Sequence, residues 1–493
     1  MNHVPYATLA ETHISVVSLV GDRAFKLLKP IQTSFLDHRS VEDRRRAINE
    51  ELDLNRRLAR DVYLGISDIV ENGQVTDYML VMRRMPSDRR LTVLLATTEA
   101  DEALRSVAKA VAGFHASLEP NEIAAACAGP ADEWTRWQNN IDELGDLVAA
   151  GVFDGSDVEQ IQSMARCYID GRHQLFEQRI AAGLARDGHG DLMADDIFVL
   201  TDGPRILDCL AFDQSLRQGD VLADIAFLVM DIERLAGPDA AARLLRYYQE
   251  FSAENHPASL AHHYVAYRAL VRAKIWAIRY VQTRDPEHLS AARGHIAQCQ
   301  AHLVRAQPRL TLVGGGPGSG KSTLAEAIGA AMGWTVLNTD EIRKDVSGRS
   351  RAEHAMAEPD EGIYTPENTE LTYRELVDEA SALLGRGESV VLDASWSLDT
   401  HREMARRVGG DAGAKIVELE CHLTPTIAKE RITRRLASPW TISDATPEIV
   451  DHMSKRRDDW PQAISIDTSR PKVDCRDVAV RHIVTESLEG TVA

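Results

Sequence analysis

Long apolar runs are missing from the 493-residue sequence: the longest, Ile225 to Met230, is far short of the roughly 20 residues that span a bilayer. The first 25 residues also lack a charged start followed by a long apolar core. A soluble, cytoplasmic protein without a membrane partner is therefore expected. Positive charge is in short supply. Asp and Glu number 75 against 56 Lys and Arg, a formal charge of -19, and aromatic residues make up only 5%. Such a surface repels phosphate backbones and offers few stacking platforms, which excludes a general nucleic-acid or anionic-membrane binder but leaves room for a local basic pocket. Cysteine pairs are absent too. Cys127, Cys167, Cys209, Cys299, Cys421 and Cys475 are scattered, so neither a zinc knuckle nor a disulfide framework is expected, and they read as reduced packing residues. There is no short repeat or low-complexity tract.

What is present is an ordinary globular composition, 44% apolar and 27% charged, in a chain long enough for two or three domains. Residues 13 to 90 read as a strand hairpin, a charged helix "SVEDRRRAINEELDLNRRLA" and a further strand "YMLVMRR". Residues 97 to about 305 are dominated by helical periodicity, with a strand-rich insert at 188 to 213. After Pro308, short apolar strands alternate with helical stretches, the pattern of a parallel α/β sheet. The expected domains are 1–304 and 305–493.

The strand "RLTLV" runs into Gly315, Gly316, Pro317, Gly318, Ser319, Gly320, Lys321, Ser322 and Thr323 and then into a helical pattern. This fits G-x-x-x-x-G-K-[ST], in which glycines let backbone N–H groups surround a polyphosphate, the lysine reaches its terminal phosphates and the hydroxyl ligates magnesium. A ligand-free glycine-rich turn is the bland alternative. Downstream, "TVLNTDEIRK" is read as a strand ending in Asp340, with Arg343 three residues on, and "SVVLDAS" as a strand ending in Asp393. At a sheet's carboxyl edge Asp340 can accept a proton from an attacking hydroxyl, Arg343 can hold a substrate and Asp393 can orient magnesium's water shell. Helix-capping and turn roles are the alternatives for these aspartates. Arg431, Arg434 and Arg435 lie on a helix entering a Thr- and Pro-containing loop, read as a lid or as a solvated face. The motifs "GGGPGSGKST", "NTDEIR", "VVLDAS" and "RITRR" resemble the small-molecule kinase branch of P-loop proteins, which includes gluconate, shikimate and polynucleotide kinases and zeta-toxin kinases. The resemblance covers about 308 to 470. It implies that Lys321 and Ser322 bind ATP and magnesium, that Asp340 is the base, and that Arg435, with Arg431 second, is the lid arginine.

A second signature lies in "HGDLMADDIFVLTDGPRILDCLAFD". Here Asp191 can accept a hydroxyl proton, Asp196 in the same loop can ligate one magnesium and Asp208 after the next strand another, as in an eukaryotic-kinase-like site. "GDVLADIAFL" follows, with Asp220 and Asp224 spaced to support the loop from below. The set resembles the aminoglycoside phosphotransferase-like family, including choline-kinase-like and homoserine-kinase-like enzymes, over roughly residues 10 to 290. The resemblance implies a small lobe at about 10–90 and a helical large lobe at about 91–304. It also implies a nucleotide lysine at Lys26, with Lys29 the fallback, oriented by Glu51 or Glu50, and a hinge strand "YMLVMRRM". Met193 and Asp196 stand where the family has histidine and asparagine, and no G-x-G-x-x-G precedes Lys26. In the helix "HHYVAYRALVRAKIWAIRY", Arg268, Arg272 and Lys274 read as a solvated basic face, with one or two of them at the wall of the substrate cleft as the alternative.

The fold class expected is thus an α+β two-lobed protein-kinase-like domain followed by an α/β parallel-sheet P-loop NTPase domain. The expected activity is ATP- and magnesium-dependent transfer of phosphate to a hydroxyl of a small molecule such as a sugar or aminosugar. A regulatory nucleotide-binding protein with an inert first domain and a nucleotide or polynucleotide kinase are the alternatives. The sequence leaves the oligomeric state open.

Overall fold

A computed structural model describes residues 6–12, 14–32, 36–348, 365–436 and 457–489, without the side chains of 435–436 and 485–489. The chain divides into two compact units: Met1–Val158 with Phe176–His256 and Tyr264–Gln300, and Glu159–Leu175 with Pro257–His263 and Ala301–Ala493.

The first unit opens with five antiparallel strands, β1 (Ala7–Glu11), β2 (Ser15–Val20), β3 (Arg23–Leu28), β4 (Tyr63–Glu71) and β5 (Gln74–Arg83), in the order β1-β2-β3-β5-β4. The helix Val41–Ala59 forms because the Ser40 hydroxyl accepts from the Asp43 N–H at 3.0 Å, acidic residues occupy its first turn and Arg56 and Arg57 its last, each complementing the helix dipole. Its Ile48, Leu52 and Ala59 pack with Leu28, Leu80 and Met82 of the sheet. Two strands go beyond the sequence reading. β1 is exposed along its whole length and carries no burial pattern, and the alternation of β4 is broken by register shifts at Tyr63/Gly65 and Ile69/Val70.

The remainder of the unit is helical, as expected from its periodicity, with the helices Ala100–Ser117, Pro130–Ala149, Val221–Ala236 and Pro238–Ser252 prominent in it. Two small antiparallel pairs interrupt them, β6 (Ala185–Asp187) with β9 (Gln218–Asp220) and β7 (Ile197–Leu200) with β8 (Gly203–Ile206). A five-stranded antiparallel lobe with one helix, followed by a helical lobe carrying such loops, is the two-lobed kinase-like architecture.

The second unit is built on a wholly parallel sheet of β10 (Arg309–Gly314), β11 (Thr335–Asn338), β12 (Val390–Asp393), β13 (Lys415–His422) and β14 (Ile464–Asp467), ordered β11-β12-β10-β13-β14. Both faces of its centre are covered, which is why these strands read as continuous apolar runs. Leu310, Leu312, Val390 and Leu392 enter one core with Leu376 and Leu384, while Val313, Val391, Val417 and Leu419 enter another with Leu324 and Ile328. This sheet, with the helix Lys321–Met332 following its first strand, is a P-loop NTPase fold. Residues from 159–175 and 257–263 join the same unit: Arg172 donates to the Ala412 carbonyl at 2.7 Å and Ser259 to that of Gly387 at 2.6 Å.

Two local expectations are corrected. β11 ends at Asn338, whose side chain caps the helix Thr339–Val346 by accepting from the Asp340 N–H at 2.7 Å, so Asp340 stands in the first turn of a helix and not on a strand. β8 ends at Ile206, two residues before Asp208.

Candidate functional site

In the first unit, Lys26 of β3 donates to Glu51 of the helix Val41–Ala59 at 2.7 Å and lies 3.4 Å from an Asp208 oxygen. Burial opposes the charge of Lys26, but Glu51 and Asp208 outweigh it and hold the ammonium above its ordinary value. The two alternatives lie elsewhere: Lys29 pairs with Glu11 at 2.6 Å, and Glu50 is 3.8 Å from Arg217. Asp208 itself has φ 62, a left-handed conformation that aspartate tolerates better than most residues. Its N–H donates to the Tyr63 hydroxyl at 3.2 Å, and the next N–H, that of Cys209, donates to Asn55 at 2.9 Å. Asn55 donates in turn to the Glu51 carbonyl. One face of the helix thereby fixes both partners of Lys26. Arg57 extends the tie, donating to the carbonyls of Asp187 and Gly188, each at 2.8 Å. Sequence reasoning missed Asn55, Arg57 and Tyr63. The i, i+4 spacing of Glu51 and Asn55 was the available signal.

The loop carrying Asp191 is held from beneath. Asp224, in the helix Val221–Ala236, accepts from the N–H groups of His189 at 2.7 Å and Gly190 at 2.8 Å and lies 3.0 Å from His115. Burial works against its charge, yet the bonds and charges of His115 and His189 hold this carboxyl well below the usual range. Asp220 has a different part, capping the same helix and pairing with buried Arg179. Above this base the carboxylates crowd. Asp191 is pushed up to about 6 by burial, with Arg272 and Arg268 pulling it down and Asp208 raising it. Asp196 is pushed up to about 8 by burial and by the charges of Asp208, Asp191 and Asp195. Met193 precedes the short turn Ala194–Asp196, whose first N–H donates to Asp231 at 2.9 Å. Among the described residues no group of three or more His, Cys, Asp or Glu side chains forms a ready-made metal cluster.

In the second unit, Gly315, Gly318 and Gly320 take φ of 145, 75 and 90, which L side chains rarely adopt. A Cβ on Gly315 would come within 2.5 Å of the Ser319 hydroxyl and 2.6 Å of the Cys421 carbonyl, so the loop is closed to side chains there, while Gly316 faces open space. Gly320 caps the helix that begins with Lys321, Ser322 and Thr323, and Pro317 lies between the glycines. The Thr468 hydroxyl donates to the Ser319 carbonyl, and Arg431 donates to the Thr468 carbonyl at 2.7 Å, placing that arginine beside Gly320. Thr468, just past β14, was not legible in the sequence.

Asp393 ends β12, fully buried. It accepts from Asn338, its backbone carbonyl accepts from Thr339 at 3.2 Å, and its Oδ1 has no hydrogen-bond partner. Burial raises its pKa, Lys321 and the Ser322 hydroxyl lower it, and Asp340 raises it again. Arg343 donates to Asp340 at 3.1 Å. Arg434 and Arg435 lie in the helix Pro425–Leu436, with the Arg435 side chain outside the described residues, as is the loop 437–456 that the sequence suggests as a lid.

The remaining basic residues correct an expectation. Arg268 is buried, donates to the Ala223 carbonyl at 3.1 Å and lies over the Phe227 ring, and Lys274 pairs with Glu143 at 2.9 Å, so this helix does not present a solvated basic face. The cysteines are free, with Cys209, Cys299, Cys421 and Cys475 buried, Cys127 partly buried and Cys167 exposed. No helix among the described residues is long and apolar enough to cross a membrane.

The chain thus joins two kinase-like folds. Residues 310–459 match the family AAA_33, described as an AAA domain. Uncharacterized proteins of Mycobacterium tuberculosis (strain ATCC 25618 / H37Rv) and Mycobacterium bovis (strain ATCC BAA-935 / AF2122/97) are 38% identical over 470 residues, covering 95% of this chain and 93% of theirs. The chain belongs to the family of these mycobacterial proteins. Among solved structures, a gluconokinase from Sinorhizobium meliloti 1021 is similar at 17% identity, covering 38% of this chain and 98% of its own, with a TM-score of 0.28. A choline/ethanolamine kinase family protein from Mesorhizobium loti is similar at 14% identity over 62% of this chain and 93% of its own, with a TM-score of 0.36. The GDP and kanamycin complex of APH(2")-IIIa is similar at 14% identity over 60% and 94%, with a TM-score of 0.37. At these scores the fold rests on the sheet order and registers above.

Proposed function

We propose that the protein is an ATP-dependent phosphotransferase with two sites, one within 1–304 and one within 305–493, each acting on a hydroxyl of a small molecule. The observation that carries this reading is the convergence of Lys26, Glu51 and Asp208 on the side of the loop bearing Asp191 and Asp196, in a chain that also holds the glycine loop 315–320. At the first site Lys26, oriented by Glu51, contacts nucleotide phosphates and Asp191 takes the proton of the acceptor hydroxyl. A value near 6 lets Asp191 accept a proton at neutral pH. At the second site the amides of 315–320, Lys321 and Thr323 surround the phosphates, Asp340 serves as base beside the substrate clamp Arg343, and the lid arginine is Arg435, with Arg431 second.

Magnesium fits both donor sets. Asp196 and Asp208 would hold it at the first site, and its charge would relieve the repulsion that pushes Asp196 up to about 8. Ser322 and Asp393 would hold it at the second, where the buried Asp393 Oδ1 lacks a partner. When bound, the ion neutralises charge on the phosphate oxygens.

The test is substrate-dependent ADP release by purified protein across sugars, aminosugars, aminoglycosides and nucleosides. Lys321→Ala and Asp191→Ala should each remove a separable part. Clear ATP binding with no stimulated turnover would count against the enzyme reading.

A further inference from the structure

The loop that carries Asp191 is gripped on both sides by one face of the helix Val221–Ala236. Asp224 accepts from the N–H groups of His189 and Gly190 just before Asp191, and Asp231, two turns further along, accepts from the Ala194 N–H three residues past it. His189 spreads that grip. Its Nδ1 accepts from the Asp191 N–H at 3.4 Å and its Nε2 donates to the Leu207 carbonyl at 3.1 Å, next to Asp208. There is no slack at this point: a Cβ on Gly188 would come within 2.6 Å of Asp224 Oδ2, so the backbone rests directly on the carboxylate.

Asp224 is itself held from behind by two side chains that no step of phosphate transfer uses. His115, of the helix Ala100–Ser117, donates from Nε2 to Asp224 Oδ2 at 3.0 Å, since a carboxylate only accepts. Its Nδ1 lies 2.8 Å from the Tyr248 hydroxyl of the helix Pro238–Ser252, and the two rings meet edge-on with centroids 5.6 Å apart. The His115 carbonyl accepts from Arg186 of β6, the strand that leads into the loop. Tyr248 is 0% exposed, His115 3% and Asp224 4%, so solvent replaces none of these bonds. A buried imidazole with its two nitrogens engaged on two other helices cannot turn without leaving a polar group unpaired.

We propose that His115 and Tyr248 are positioning residues of the first site, bracing Asp224 so that Asp191 is held in one place relative to Lys26 and Asp208. The proposal rests on the reading of Asp191 as the residue that takes the acceptor's proton. Buried beneath the loop, neither side chain reaches a ligand, and each acts through Asp224. Their removal shifts Asp191, while Asp208 keeps its separate ties to Tyr63 and, through the Cys209 N–H, to Asn55.

The experiment uses full-length protein in the Lys321→Ala background, which silences the second site, with ATP, magnesium and the acceptor that this parent turns over among sugars, aminosugars, aminoglycosides and nucleosides. ADP release, ADP affinity by calorimetry, and hydrogen exchange in peptides containing His189 and Gly190 are recorded for each variant. His115→Leu should lower kcat by about 10- to 100-fold, the effect of a misplaced reacting group, and Tyr248→Phe, which removes one neutral hydrogen bond and keeps the ring, by about 2- to 10-fold. KM for ATP and ADP affinity should stay within about 2-fold, and exchange should quicken at both amides in both variants. His115→Gln, whose amide N–H stands near the place of Nε2, should retain more activity than His115→Asn, whose amide reaches only the place of Nδ1, and more than the apolar filler leucine. Unchanged exchange at His189 and Gly190 in His115→Leu and Tyr248→Phe would overturn the proposal. So would a kcat for His115→Leu equal to or above that of His115→Gln, the ranking of a packing role. A parent without turnover on any acceptor, whose amides nonetheless loosen in both variants, keeps the brace on the Asp191 loop and defeats the kinase reading.

Discussion

The two proposed sites would hold phosphate in opposite ways. The second is made from adjacent residues: nine positions, 315–323, supply the glycines, the helix N-terminus, the lysine and the hydroxyl, and the sheet only has to aim them. The first is assembled from distant side chains, with Lys26 25 residues from Glu51 and 182 from Asp208. A local device tolerates change around it, whereas an assembled one depends on the bonds that bring its parts together. The ties from Asn55, Arg57, Tyr63 and Asp224 are therefore as consequential as the residues they position.

The sharpest break of this contrast is Asp224→Ala. It leaves the His189 and Gly190 N–H groups and His115 without their buried acceptor and should cost the first unit about 3–5 kcal/mol, read by urea unfolding, with ATP binding at the glycine loop retained. Lys26→Ala should lower kcat at the first site by about 10²–10³-fold, measured with Lys321→Ala in the background. Gly315→Ala forces a side chain into φ 145 against Ser319 and Cys421, and a strain of about 1–3 kcal/mol should weaken nucleotide affinity at the second site alone, seen by calorimetry.

The next effect is one of pH. Asp196 keeps its proton in the folded protein up to about 8, against 3.8 as its ordinary value. Between those values the folded state binds a proton that the unfolded state has released, so stability falls as pH rises through this window and is level above it. In chelator, Asp196→Asn should melt higher than the parent at about pH 9 and match it at about pH 4. A higher melting point for the parent at the alkaline end would contradict the crowding of Asp196 against Asp191 and Asp208. The smallest effect concerns Lys29→Ala and Glu50→Gln, which should leave ATP affinity at the first site unchanged, since neither side chain touches the Lys26–Glu51–Asp208 cluster.

Legibility followed the same division. The phosphate loop, Asp393 and the alternating α/β pattern could be read directly because strand, loop and helix are contiguous. At the first site Lys26 was already preferred to Lys29 by the resemblance, and the strand registers put it opposite Leu80 and within reach of Glu51. Arg57, Tyr63 and Thr468 gave no periodic or motif signal, since they act through bonds to distant backbone atoms, and Asn55 showed only in its i, i+4 spacing from Glu51. Asp340 was misplaced because the apolar run "TVLN" continues smoothly into a helix capped by Asn338. Arg268 was read as solvated from its periodic spacing, which says nothing about the Phe227 ring beneath it.

The two-site assignment is tested most directly by ADP release from wild type, Asp191→Ala, Lys321→Ala and the double variant over one panel of neutral, cationic and acidic acceptors. Each single variant should abolish release with a different set of acceptors and the double variant should abolish all of it. Complete loss in Lys321→Ala alone, with Asp191→Ala indistinguishable from wild type, would contradict a working first site.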